Sequence, residues 1–147
     1  MIHAQNQKLE VMLAPQAVSN GATATANLDV KGADYATIIL SFAAEKNTNA
    51  VGPALSLLES DDTTATNFAT FDSNFTRATE DLTESKQVVY HVDTRARKRY
   101  LRLSVTPATS TNDTLTICAE ALVARLSEDP ASTSDMVAST NDKVVIG

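Results

Sequence analysis

Alternation of apolar and polar residues at a period of two limits the folds open to this chain more than any other feature. From Thr23 to Lys31, Ala24, Ala26, Leu28 and Val30 fall on one face, and Thr23, Thr25, Asn27, Asp29 and Lys31 on the other. Successive side chains of an extended strand point to opposite faces, so such a segment buries one side and wets the other. The pattern returns from Tyr35 to Ala43, where Ala36, Ile38, Leu40 and Phe42 share a face opposite Tyr35, Thr37, Ile39 and Ser41. From Lys86 onward Val88, Tyr90 and Val92 oppose Val89 and His91. Arg99 to Thr106 places Leu101, Leu103 and Val105 inward and Tyr100, Arg102 and Ser104 outward, and Pro107 is expected to end that strand. Thr114 to about Leu126 sets Leu115, Ile117, Ala119, Ala121 and Val123 on one side. The stretch from Glu120 to Leu126 also reads as a helical turn, but the regular start of the alternation favours a strand.

Shorter signals fill in the rest. Leu9 to Leu13 is an apolar run stopped by Pro15, either an edge strand or a docking arm, and Ser19-Asn20-Gly21 is a turn. Lys31-Gly32-Ala33-Asp34 is another turn. After a loop from Glu45 to Pro53, Ala54 to Glu59 makes a short strand. The polar stretch Ser60 to Asn67 leads to Phe68, Phe71 and Phe75, read as hydrophobic plugs along a long crossing connection. Seven or eight strands parted by turns and polar crossings predict an all-β protein, a single antiparallel β-sandwich of jelly-roll or immunoglobulin-like topology. With 147 residues, the expected division is an N-terminal arm or first strand over 1–22, the sandwich over 23–126 and a C-terminal arm over 127–147. The polar C-terminal stretch has too few apolar residues to build a core, yet it finishes in the β-prone Val144-Val145-Ile146, so it reads equally as a docking tip or as a frayed terminus.

Composition excludes several functions. The net charge of −6 argues against direct nucleic-acid binding. No basic segment followed by an apolar one opens the chain, and no apolar run approaches the length of a membrane span. Cys118 is the single cysteine, so a four-cysteine zinc site is out of reach. The two histidines, His3 and His91, lie far apart, without metal-ligand spacing or a nucleophile–base set; His91 reads as a surface residue of a strand. No catalytic residue, metal ligand or cofactor is therefore expected. The acidic run Glu59-Ser60-Asp61-Asp62 lacks the ligand spacing of a helix–loop–helix calcium site and reads as a turn bonded to its own backbone.

One charge feature stands apart. Arg95, Arg97, Lys98 and Arg99, with Arg102 nearby, crowd a hairpin of an otherwise acidic chain. A solvated loop is the plain reading; of two functional ones, a partner patch using arginine forks against carboxylates is favoured over a nucleic-acid contact, which has Tyr100 as its only interleaved aromatic.

Three phrases together resemble the small head-associated proteins of tailed bacteriophages. They are Tyr35-Ala36-Thr37-Ile38-Ile39, Leu55-Ser56-Leu57-Leu58-Glu59-Ser60-Asp61-Asp62, and the stretch from Val92 through the basic hairpin to Pro107, in order between about Asp34 and Ala124. The resemblance implies a capsid decoration (cement) protein: a cofactor-free sandwich, assembled in the host cytoplasm, that coats the outside of an icosahedral head. It further implies the major capsid protein as partner and a homotrimer as the assembled form. Arg95, Arg97, Lys98, Arg99, Arg102, Val144, Val145 and Ile146 are the interface candidates read from the residues themselves. The alternatives are a head-completion or tail structural protein, and a carbohydrate- or receptor-binding module, which the absence of Trp disfavours.

Overall fold

The computed structural model describes residues 7–44, 51–72, 85–108 and 114–124. They form eight strands: β1 (Gln7–Ser19), β2 (Ala24–Asp29), β3 (Tyr35–Phe42), β4 (Val51–Ser60), β5 (Ala69–Asp72), β6 (Lys86–Asp93), β7 (Tyr100–Ala108) and β8 (Thr114–Ala124). A short 3-10 turn covers Ala65–Asn67. The strands make two four-stranded antiparallel sheets, ordered β1-β8-β3-β6 and β2-β7-β4-β5.

The topology has a simple logic. β1 pairs with β8, β2 with β7, β3 with β6 and β4 with β5, as in one long hairpin folded on itself. The added pairs β3 with β8 and β4 with β7 join this folded ribbon into two sheets. That is a jelly roll, in which first and last strands are neighbours, and it decides against the immunoglobulin-like alternative.

The core lies where alternation places it. Leu28, Ile38, Leu40, Leu57, Leu101, Leu103 and Val105 are fully enclosed, with Leu115, Ile117, Ala119, Ala121 and Val123 closing the layer from β8. Each such large side chain contributes about 1.5–3 kcal/mol by leaving water. β8 stays extended through Ala124, so the alternative helical turn is not formed over Glu120–Ala124.

Three prolines depart from expectation. β1 runs through Pro15, because β1 is an edge strand and its register slips between Leu13 and Gln16. Proline lacks a ladder donor and is tolerated at edges and bulges. Residues 7–19 are accordingly an edge strand, with Leu13 and Val18 in the core, rather than an arm. β7 likewise continues past Pro107, which is buried; the β2 ladder on its flank ends at Ala24 opposite Val105, so no partner there requires the missing N–H. On its other flank β4 slips register between Val51 and Ala54, around Pro53, and β4 starts earlier than the expected Ala54.

Candidate interaction surface at the hairpin end

Glycine and short polar residues turn the chain at one end of the sandwich. Gly32 adopts a φ of 74°, a left-handed conformation that L side chains disfavour, and bends β2 toward β3. Thr94 anchors the β6–β7 hairpin beside that turn: its N–H donates to Asp34 O at 2.9 Å and its buried hydroxyl to Ala33 O at 2.6 Å. The Asp34 N–H donates to Ala124 O at 3.2 Å, which ties the end of β8 to the same place.

The basic residues are laid onto this frame and paired within the chain. Arg95 grips Asp93 through Nε and Nη2, and the Asp93 carboxyl also accepts the Arg95 N–H. These bonds hold the Asp93 carboxyl down at about 2, against an ordinary 3.8, and raise the guanidinium in return. Arg99 reaches back to β2, where Nη2 lies 2.7 Å from Asp29 Oδ2. Burial pushes the Asp29 carboxyl up, while Arg99 and the Lys31 N–H outweigh it and leave it below its usual value. Glu59 Oε2 accepts the Lys98 N–H at 3.2 Å and lies 3.7 Å from Arg97 Nη1. Lys98 Nζ stands 3.5 Å from Asp61. Arg102 donates to Asn27 Oδ1 at 2.8 Å and to Ala65 O at 3.3 Å.

Every arginine of the group also covers an aromatic ring. Arg102 sits 3.7 Å from the Phe68 centroid, Arg99 4.8 Å from Tyr100, Arg97 5.0 Å from Phe71 and Arg95 5.4 Å from Tyr35. A guanidinium prefers a ring face, and the flat contact fixes its plane. Sequence reading credits the patch with Tyr100 alone, since Tyr35, Phe68 and Phe71 lie far off along the chain. Phe71 is part of the edge strand β5 and packs on the core, rather than plugging a crossing.

The acidic turn is satisfied internally. Ser60 Oγ accepts the Asp62 N–H, and the Asp62 carboxylate accepts Asn67 Nδ2 at 2.8 Å and the Thr64 N–H at 2.7 Å, which lowers its proton affinity. Among the described residues no group of three His, Cys, Asp or Glu side chains is placed to hold a metal ion. His91 is exposed on β6, with Nδ1 3.2 Å from Thr37 Oγ1. No helix among the described residues is long and apolar enough to cross a membrane. His3, Phe75 and the C-terminal candidates Val144, Val145 and Ile146 lie outside the described residues.

The chemical capacity of this end is recognition. Each of Arg95 and Arg99 spends Nε and one Nη on its own acid, and a guanidinium has five N–H donors in all. An outward-facing edge remains on both, aimed by the ring and the carboxylate beneath.

No family model matches the chain, and no curated protein does. Solved structures that share part of its shape include a BuGH86 protein crystallised in complex with neoagarooctaose, with a TM-score of 0.37 and 14% identity over 79% of this chain and 19% of that one. BtGH115A, a family GH115 4-O-methyl-α-glucuronidase with specificity for decorated arabinogalactans, gives a TM-score of 0.40 and 9% identity over 82% of this chain and 16% of that one. The chain thus spans less than a fifth of the length of either protein, and likenesses this remote carry no argument about function.

Proposed function

We propose that this chain is a non-enzymatic virion structural protein that decorates the outside of an icosahedral phage head and stabilises it through protein–protein contacts. One observation carries the reading. The three phrases that resemble head-associated proteins, separate in sequence, meet around a single feature of the fold. Tyr35, from the first, lies under Arg95; Glu59 and Asp61, from the second, face Arg97 and Lys98; the hairpin itself is the third. Ala36, Ile38, Leu55, Leu57, Leu101, Leu103 and Val105 of the same phrases lie in the core, so it is the turn ends of the phrases that meet at this surface.

In this reading the hairpin end faces the major capsid protein. Ion pairs at exposed positions contribute little to folding, so their arginines can exchange an internal carboxylate for one on a neighbour at small cost. A lattice of identical sites then multiplies modest contacts.

The test is attachment to purified heads that lack the protein, followed by quantification of bound copies. Saturation at a number commensurate with the capsid lattice is expected, and replacing Arg95, Arg97 and Arg99 together with Ser should reduce it. Binding of only a few copies per particle would favour a connector or tail role, and no binding would overturn the reading.

A further inference from the structure

Among the described residues, the outward side of the β1-β8-β3-β6 sheet gathers the most exposed large apolar side chains. Lys8 and Glu10 of β1 pair with Val123 and Ala121, whose side chains are buried, so these two charged residues take the inward face. They form an ion pair at 3.0 Å in the gap between the sheets. Leu9 and Val11 are thereby turned outward: β1 wears its amphipathic pattern reversed.

The register extends the apolar surface across the sheet. One row reads Leu9, Leu122, Thr37, His91, and the next reads Val11, Glu120, Ile39, Val89. The large hydrophobic residues most exposed among those described are Leu9 at 45%, Val89 at 45% and Tyr35 at 36%, and all three lie on this face. Such clustering on one side of a folded domain marks an interaction surface.

We infer that this face seats a second copy of the same chain, sheet against sheet, about a two-fold axis running along β3. Area, shape and charge all select that occupant. Four strands about 4.8 Å apart and some eight residues long present roughly 500 Å² per copy. The pair would bury about 1,000 Å², at the lower bound for a specific interface, so association is weak and concentration-dependent. Two identically twisted sheets related by this axis keep their β3 strands parallel, within the aligned class of sheet packing. The axis along β3 lays β6 of one copy over β8 of the other. It brings His91 of each copy to the row beside Glu120 of the other and keeps the two Glu120 carboxylates apart. Thr37 holds the His91 ring through Nδ1 and leaves Nε2 to meet that carboxylate. Leu9 and Val11 flank Val89 across the same seam. The inference stands apart from the capsid reading and needs no lattice.

Sedimentation equilibrium of the full chain over a wide concentration range tests it. Wild-type protein should pass from monomer to dimer. Val89→Lys should weaken dimerisation by about tenfold or more, since a lysine must lose water to enter the seam, with an unchanged far-ultraviolet spectrum and, at concentrations where both proteins are monomeric, an unchanged thermal melt. Glu120→Lys alone and His91→Glu alone should each weaken it, and an equimolar mixture of the two should restore dimers, because each seam then holds one opposite-charge pair and one native pair. A wild type that stays monomeric, a trimer indifferent to these substitutions, or a mixture no better than its components would overturn the proposal.

Discussion

On the β2-β7-β4-β5 sheet the outward side chains are mostly polar, Thr25, Asn27, Ser56, Ser104 and Thr106, with Arg102 laid over Phe68, Arg99 over Tyr100, and Leu58 beside Arg102. On the β1-β8-β3-β6 sheet Leu9, Val11, Leu122, Ile39 and Val89 form an apolar cluster beside Thr37, His91 and Glu120, with Tyr35 and Asp93 at one end and Ser41 and Gln87 at the other. The inner faces contrast in the opposite sense. β7, central to the first sheet, contributes Leu101, Leu103 and Val105, while β8, central to the second, contributes Ala119 and Ala121 between its larger residues. β7 is therefore bulkier inward than the middle of β8, where Ile38, Leu40, Phe42 and Tyr90 of the neighbouring strands supply the volume, and the second sheet carries the more exposed apolar residues outward. A single alternating pattern, strand by strand, produces both. What separates them is which residue types fill the outward half of each period.

The largest effect that can break this comparison is in the core. Leu103→Ala deletes a fully enclosed side chain from β7 and should cost about 2–5 kcal/mol in denaturant unfolding. A cost under about 1 kcal/mol would mean that the β7 layer is not the main source of stability. Next comes the cover over Phe68. Arg102→Ala removes the Asn27 bond and the Phe68 stack, with an expected loss of about 1–2 kcal/mol by the same measurement. No loss would reduce the covered face to an accident of exposed side chains.

A pH series sharpens the role of the hairpin. The Asp93 carboxyl is held at about 2 by Arg95, below its ordinary 3.8. A depressed carboxyl favours the folded state above its unfolded value, and that contribution is lost as pH falls through the folded value. Asp93→Asn should therefore flatten the stability curve between about pH 4 and pH 2 and leave its shape above pH 5 unchanged. The amplitude is small, because the pair is exposed. Parallel curves for the two proteins throughout that window would show that the pair carries no acid dependence. The smallest effect belongs to the apolar outer face. Val89→Lys should change monomer unfolding by no more than about 0.5 kcal/mol, since Val89 is 45% exposed on the outer face. A larger loss would reveal support from within the chain.

The fold was largely legible in the residues, and for a clear reason. Ala36-Ile38-Leu40-Phe42, Leu101-Leu103-Val105 and Leu115-Ile117-Ala119-Ala121-Val123 alternate so strictly that their inward faces follow directly, and all are buried as read. The choice of jelly roll was not legible, because pairing of β1 with β8 depends on contacts that no local pattern records. The prolines misled for a related reason. Pro15 and Pro107 end strands only where the neighbour that their missing N–H would face requires a donor, and the sheet order and register decide that. Of the surface, the basic cluster could be found from its composition. Its aromatic bed and its acids could not, since Arg97 meets Phe71 and Arg99 meets Asp29 only after folding. The reversed face of β1 was equally hidden: Leu9 to Leu13 reads as apolar, but nothing in it says which of its residues turn outward.

The pairing of first strand with last also governs how the molecule comes into being. β4 and β5 are close in sequence and can meet early, then β3 with β6, then β2 with β7, each closing a longer loop. β1 is made first and finds its sheet last, when residues 114–124 have left the ribosome. Through most of synthesis its leucines and valines have no sheet to join, so the growing chain stays adhesive until its final strand arrives. Folding dominated by such distant partners is slow, on the millisecond-to-second scale of all-β domains. The yield of folded molecules then depends on the race between that pairing and capture of the waiting strand by another nascent chain.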